Sequence, residues 1–106
     1  MWNNQLKLVD VEEKEMNKVE RHKQLCEKLN EIYEAKNQDY GDSFGKSYKE
    51  YGLTMACIRL EDKLNRLKSI NFNKVTKVAD ESLIDTLMDL ANYSIMTIIE
   101  LEGKEQ

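Results

Sequence analysis

Glu81, Asp85, Asp89 and Asn92 carry the most chemistry in this chain. They recur at helical spacing through a segment that is otherwise largely apolar. At about 100° per residue they share an arc of roughly 80°. Leu83, Ile84, Leu87, Met88, Leu90, Ala91, Ile95, Ile98, Ile99 and Leu101 occupy most of the remaining circumference. The helix is therefore expected to be buried on more than one side. Acids on a buried helix are costly unless their charge is compensated. A divalent cation, a basic partner helix or a water-filled cleft would each compensate it.

A basic edge lies upstream. From about Leu53 to Ser69 a helix has a core stripe of Ala56, Cys57, Leu60, Leu64 and Leu67. Arg59, Lys63 and Arg66 flank the stripe on one side with Asp62 beside them, and Glu61, Asn65 and Lys68 flank it on the other. The plain reading is pairing of Asp62 with Arg59 and Arg66 along the helix surface, worth about 0.3 kcal/mol each. The functional reading is an edge that meets phosphates or the acidic stripe, because the planar arginine fork donates two parallel hydrogen bonds.

A third constellation is Lys36-Asn37-Gln38-Asp39-Tyr40-Gly41-Asp42-Ser43-Phe44-Gly45. Its breakers predict a helix end with Gly41 in the left-handed conformation, then an N-cap at Asp42 or Ser43. Lys36, Asp39, Tyr40 and Phe44 crowd this turn. A loop so composed can stack on a base and hold a ribose or phosphate.

The elements that must position these groups are helical. The chain has 106 residues, no proline and four glycines, which suits one domain with few loops. The expected fold is all-α, an antiparallel bundle of about four helices, two or three of them long. Residues 1–10 form an N-terminal segment, 11–103 the helical domain and 104–106 a tail. Trp2, Leu6, Leu8 and Val9 either lie against the body or belong to a loose terminus. A long helix runs from about Val11 to Lys36, with Met16, Val19, His22, Cys26, Leu29 and Tyr33 along its seam and Leu25 and Ile32 widening it. His22 reads as a partly buried structural histidine. A short helix over 46–52 ends at Gly52. Residues 70–78 read as a connecting loop with Phe72 and Val75 tucked inward, and Asp80 as the N-cap of the last helix.

Composition narrows the function classes. A net charge of -4 argues against general nucleic-acid binding. No apolar run reaches membrane length, and the acidic N-terminus is unlike a signal peptide, so a cytoplasmic protein is expected. Cys26 and Cys57 sit on apolar helical faces and read as buried thiols rather than a disulfide. One histidine and two separated cysteines make no zinc pattern. Apolar stripes on two long helices point to a homo-oligomer.

The runs 36–44, 58–67 and 80–93 together resemble the nucleotide-modification-associated domain, type one, of phages and bacteria, over about residues 30–100. That resemblance implies a small helical protein connected with nucleotides, in the host cytoplasm if phage-encoded. More loosely, Glu81-x-x-x-Asp85-x-x-x-Asp89-x-x-Asn92 is similar to the second acidic helix of the MazG-like nucleoside-triphosphate pyrophosphohydrolases. The likeness implies Mg²⁺ between acids of two facing helices and attack of a metal-held water on the phosphate chain. Two features depart from that group: Glu61 and Asp62 are followed by Asn65 and Arg66 in place of a Glu-x-x-Glu pair, and Ser82 interrupts the second pair.

Three readings follow. In the first, a Mg²⁺-dependent nucleotide pyrophosphohydrolase, Glu61, Asp62, Glu81 and Asp85 are catalytic, and Asp62, Glu81, Asp85 and Asp89 hold the metal. Lys36, Arg59, Lys63 and Arg66 hold phosphates, while Asn37, Tyr40 and Asn92, with Asp39 and Tyr93 beside them, contact base or sugar. In the second, nearly the same residues bind a nucleotide without cleaving it, as in a phage anti-defence sponge that sequesters a nucleotide signal. In the third, the polar residues form an internal salt-bridge network of a helical assembly module.

Overall fold

The computed structural model describes residues 17–73 and 77–103, with the side chains of 77–80 left aside. The expectations for Trp2, Leu6, Leu8, Val9, Met16 and Val75 fall outside the described residues. Among the described residues four helices follow one another: α1 (Lys18–Tyr40), α2 (Ser43–Tyr51), α3 (Leu53–Phe72) and α4 (Lys77–Glu102). The expected all-α bundle, with three long helices and a short one, is what forms, and no strand occurs among the described residues.

Local chemistry sets the ends. Asn17 is extended, and its Oδ1 accepts a hydrogen bond from the Glu20 N–H at 2.8 Å, so α1 has a capped start there rather than at Val11. Its other end also moves, from Lys36 to Tyr40. Asn37, Gln38 and Asp39 are only modest helix formers, but nothing before Gly41 forbids a further turn. The Gly41 N–H donates to Asn37 O at 2.8 Å. Gly41 has the expected positive φ, 68°, but ψ is -162° rather than the left-handed helical value. Only glycine visits that region readily.

Asp42 then caps α2, its Oδ1 accepting from the Gly45 N–H at 3.0 Å. The short helix thus begins at Ser43, not Lys46. Gly52, at φ 74°, separates α2 from α3. Helix α3 runs three residues past its expected end, and Asn73 closes it by donating Nδ2 to Ser69 O at 3.0 Å. Phe72 is therefore helical and 88% exposed, not tucked inward. Since α4 already starts at Lys77, Asp80 lies within it and is not its N-cap.

Helices α3 and α4 pack along their lengths. Lys63 meets Asp89, while the cluster of Met55 and Ala56 nearer the start of α3 packs against Tyr93 and Met96 further along α4, so the pair is antiparallel. Helix α1 also runs antiparallel to α4: Leu29 is level with Asn92, and further along Lys36 with Asp89. Helix α2 bridges the end of α1 and the start of α3. Phe44, Met55 and the wholly buried Ala56 form the core there, with Tyr48, Tyr93 and Met96 packed around them. Each large side chain so buried contributes about 1.5–3 kcal/mol.

Two expectations about burial fail for one reason. Helices α1, α2 and α3 gather on one side of α4, so Leu87, Ile95, Ile98 and Leu101 stay exposed and α4 is not enclosed. Cys26 and Cys57 are likewise exposed free thiols, because among the described residues no element covers those faces of α1 and α3. His22 is exposed too, with Nδ1 3.7 Å from Cys26 Sγ. Among the described residues no helix is long and apolar enough to cross a membrane.

Candidate functional site

A cavity of about 200 Å³ opens where the end of α1, the start of α2 and the middle of α4 converge. Tyr33, Lys36, Asn37 and Tyr40 line it from α1, Gly41, Asp42, Ser43 and Phe44 from the turn into α2, and Arg59 from α3. Asp89, Asn92, Tyr93 and Met96 form the α4 wall.

The wall is organised around Asp89. Lys63 Nζ donates to its Oδ2 at 2.9 Å, and Lys36 Nζ donates to its Oδ1 at 3.4 Å. One carboxylate from α4 thus takes ammonium groups from both flanking helices. The Lys63 and Asp89 side chains are 26% and 29% exposed, whereas Lys36 is 60% exposed. The inner bond is therefore the stronger, and the outer one is largely screened by water. Lys63 Nζ also lies 5.9 Å from the centroid of the Tyr93 ring, within cation–π range. Tyr93 stacks on Phe44 at 5.8 Å between centroids and 23° between planes. Asn92 Nδ2 donates to the Leu29 carbonyl at 3.1 Å and ties α4 to α1.

Helix geometry explains which of the expected residues meet. Arg59 precedes Lys63 by one turn, shares its face of α3, and so reaches the cavity. Asp62 is the neighbour of Lys63 and is turned about 100° from it, away from α4. Glu61, Asp62 and Arg66 are exposed and do not line the cavity, nor does Asp39. Among the described residues Asp62 forms no ion pair with Arg59 or Arg66. Glu81 is half-buried and Asp85 exposed, both on the Asp89 stripe, two turns and one turn before it respectively. Among the described residues no three of His, Cys, Asp and Glu gather closely enough to hold a metal ion.

Of the residues assigned to nucleotide binding from sequence, Lys36, Asn37, Tyr40, Arg59, Asn92 and Tyr93 line one cavity, and Lys63 adjoins it through Asp89. The sequence marks Tyr33 only as apolar seam and does not single out Met96. Their signal was spacing, since each stands three residues from a cavity residue, Lys36 and Tyr93 respectively.

Fold and cavity together define a small all-α domain with an aromatic and cationic cleft. The family described as nucleotide modification associated domain 1 matches residues 36–101, more than half of the chain, and the protein belongs to it. The matched span holds every cavity residue except Tyr33. Neither the curated proteins nor the solved structures compared with this chain include a match.

Proposed function

We propose that this protein binds a nucleotide, or a small molecule derived from one, in the α1–α4 cleft and holds it without cleaving it. The observation that carries this reading is the convergence of Tyr40, the Phe44–Tyr93 stack, Lys36 and Arg59 on one cavity. The cavity is below the roughly 300–1,000 Å³ that encloses a whole drug-sized ligand. It therefore takes a single ring, with phosphates left at the rim. Phe44 and Tyr93 already touch, so a base stacks against the open aromatic, Tyr40, which is 74% exposed. Arg59 has no carboxylate partner among the described residues and is the cation best placed to fork onto a phosphate. Lys36, weakly held by Asp89, adds a second positive charge. Asp89 itself is committed to lysines, which supports holding over hydrolysis. Sequestration of a nucleotide signal is one role that needs no more than this.

A Mg²⁺-dependent hydrolase is the second reading, favoured by the repeat of Glu81, Asp85 and Asp89 at four-residue intervals along α4. Metal would have to compete with Lys63 for Asp89. A panel of mononucleotides and cyclic and linear dinucleotides, incubated with protein and Mg²⁺ and then recovered by chromatography, separates the two. The binding reading expects a raised Tm with the ligand returned intact. Turnover that disappears in Asp85→Ala would establish the enzyme instead. If no nucleotide raises the Tm at millimolar concentration, neither reading holds, because a ligand at 100 times its Kd stabilises by about 2.7 kcal/mol.

A further inference from the structure

The largest feature that the cleft leaves unused is on the opposite side of the molecule. Leu53, Cys57 and Leu64 on α3 are exposed, and so are Leu87, Ile98 and Leu101 on α4. The α3 residues fall within an arc of about 40°. The α4 residues fall within an arc of about 60°. Since the helices are antiparallel and meet along the line of Lys63 and Asp89, both arcs turn to the same side of the pair. Helices α1 and α2 occupy the other side. Among the described residues the α3–α4 hairpin is therefore a two-helix layer with one covered face and one bare apolar face.

Scattered exposed leucines need no explanation, but a continuous two-helix stripe does. On α4 no charged residue interrupts this face between Leu83 and Leu101. The face extends over the twenty residues of α3. At 1.5 Å rise that is about 30 Å long, and two helices side by side are about 20 Å wide. Its footprint of roughly 600 Å² approaches the ~800 Å² per partner of a standard stable interface. Among the described residues the enclosed core is small by comparison: Leu29, Phe44, Met55, Ala56 and Met88 are its buried apolar side chains.

We infer that this face is covered by a second copy of the chain, in a two-fold dimer whose two α3–α4 hairpins form a four-helix bundle. An apolar face with its nearest charges, Lys68 and Glu61 of α3, at the rim can be self-complementary, as a two-fold interface must be, since the same patch serves both subunits. It also brings no carboxylates together in a chain of net charge -4. Antiparallel hairpins packed face to face reproduce the helix arrangement of ordinary bundles. The clefts then point outward from opposite sides of the assembly. The inference is independent of what the cleft binds.

The full chain is tested by sedimentation equilibrium from micromolar to near-millimolar concentration, with alkylation rates of Cys57 and Cys26 measured alongside. A dimer of twice 12.5 kDa is expected. Cys57 should react at least several-fold more slowly than Cys26, and the difference should fade on dilution. The double variant Leu87→Glu, Ile98→Glu should sediment as a helical monomer. Should that variant not fold, the concentration dependence of Cys57 in the unaltered chain decides. A monomer at every concentration overturns the inference. If Cys57 is nonetheless protected in that monomer, the chain's own N-terminal segment covers the face. Equal thiol rates, a dimer indifferent to both glutamates or an assembly larger than two also overturn it.

Discussion

Lys63 of α3 donates its ammonium to Asp89 of α4 at 2.9 Å, and the same lysine sits 5.9 Å from the centre of the Tyr93 ring one turn further along α4. The two contacts fix the register of the α3–α4 hairpin at the cleft. Lys36 approaches the same carboxylate from α1 but is far more exposed. Asp89 is thus the point at which three helices are held together by charge.

The asymmetry of the two lysines is measurable. Lys63→Met should lower stability in urea by about 1–3 kcal/mol, because it leaves a half-buried carboxylate short of its nearer donor. Lys36→Met should lower it by less than about 1 kcal/mol, since an exposed pair is screened. Equal losses would show that burial does not rank these bonds.

Ligand binding and stability should separate at Tyr40 and Arg59. Both are exposed, and neither makes a hydrogen bond or ion pair to a described neighbour. Tyr40→Ala and Arg59→Gln should each leave the urea midpoint within about 0.5 kcal/mol of the parent. In titration calorimetry each should weaken a bound nucleotide by about tenfold, the equivalent of 1.4 kcal/mol. Unchanged affinity in both would move the ligand away from this cleft.

The glycines at the α1–α2 corner act by different routes. Gly41→Ala forces a side chain into φ 68°, ψ -162°, at a cost of about 1–3 kcal/mol. A Cβ on Gly45 would collide with the Asp42 carboxylate. Gly45→Ala should therefore cost about 0.5–2 kcal/mol through loss of the α2 cap. Once Asp42→Ala has removed the cap, adding Gly45→Ala should cost little more, which a double-mutant cycle reads directly.

Thr86 is 2% exposed, and among the described residues no hydrogen bond reaches its hydroxyl. A buried hydroxyl without a partner costs about 1–3 kcal/mol in mutational data. Thr86→Val keeps the shape and removes that cost, so it should raise the urea midpoint. A lower midpoint would show that the hydroxyl has a partner such as bound water.

The acidic stripe was legible in the sequence because a three- and four-residue period survives any tertiary arrangement. It placed Asp89, Asn92 and Tyr93 on one wall, and the basic edge likewise placed Arg59 and Lys63. Asp62 shows the limit. It is adjacent to Lys63 in sequence, and only the direction of packing tells which of the two faces α4. The turn at Lys36–Tyr40 was read as loop because asparagine and aspartate favour breaks, yet the break waited for Gly41, where the backbone required it. Cys26 and Cys57 sit on apolar faces that periodicity marks as core. Periodicity identifies a face that prefers burial but not whether this same chain supplies the cover.

Only Gly41 and Asp42 separate α1 from α2, so Tyr40 and Phe44 on the two lips of the cleft are near neighbours along the chain. The aromatic corner consequently needs little loop closure to assemble and should form early in folding, before the distant pairing of Asn92 with Leu29. Fraying at the far ends of α1 and α4 would then leave the mouth of the cleft its shape.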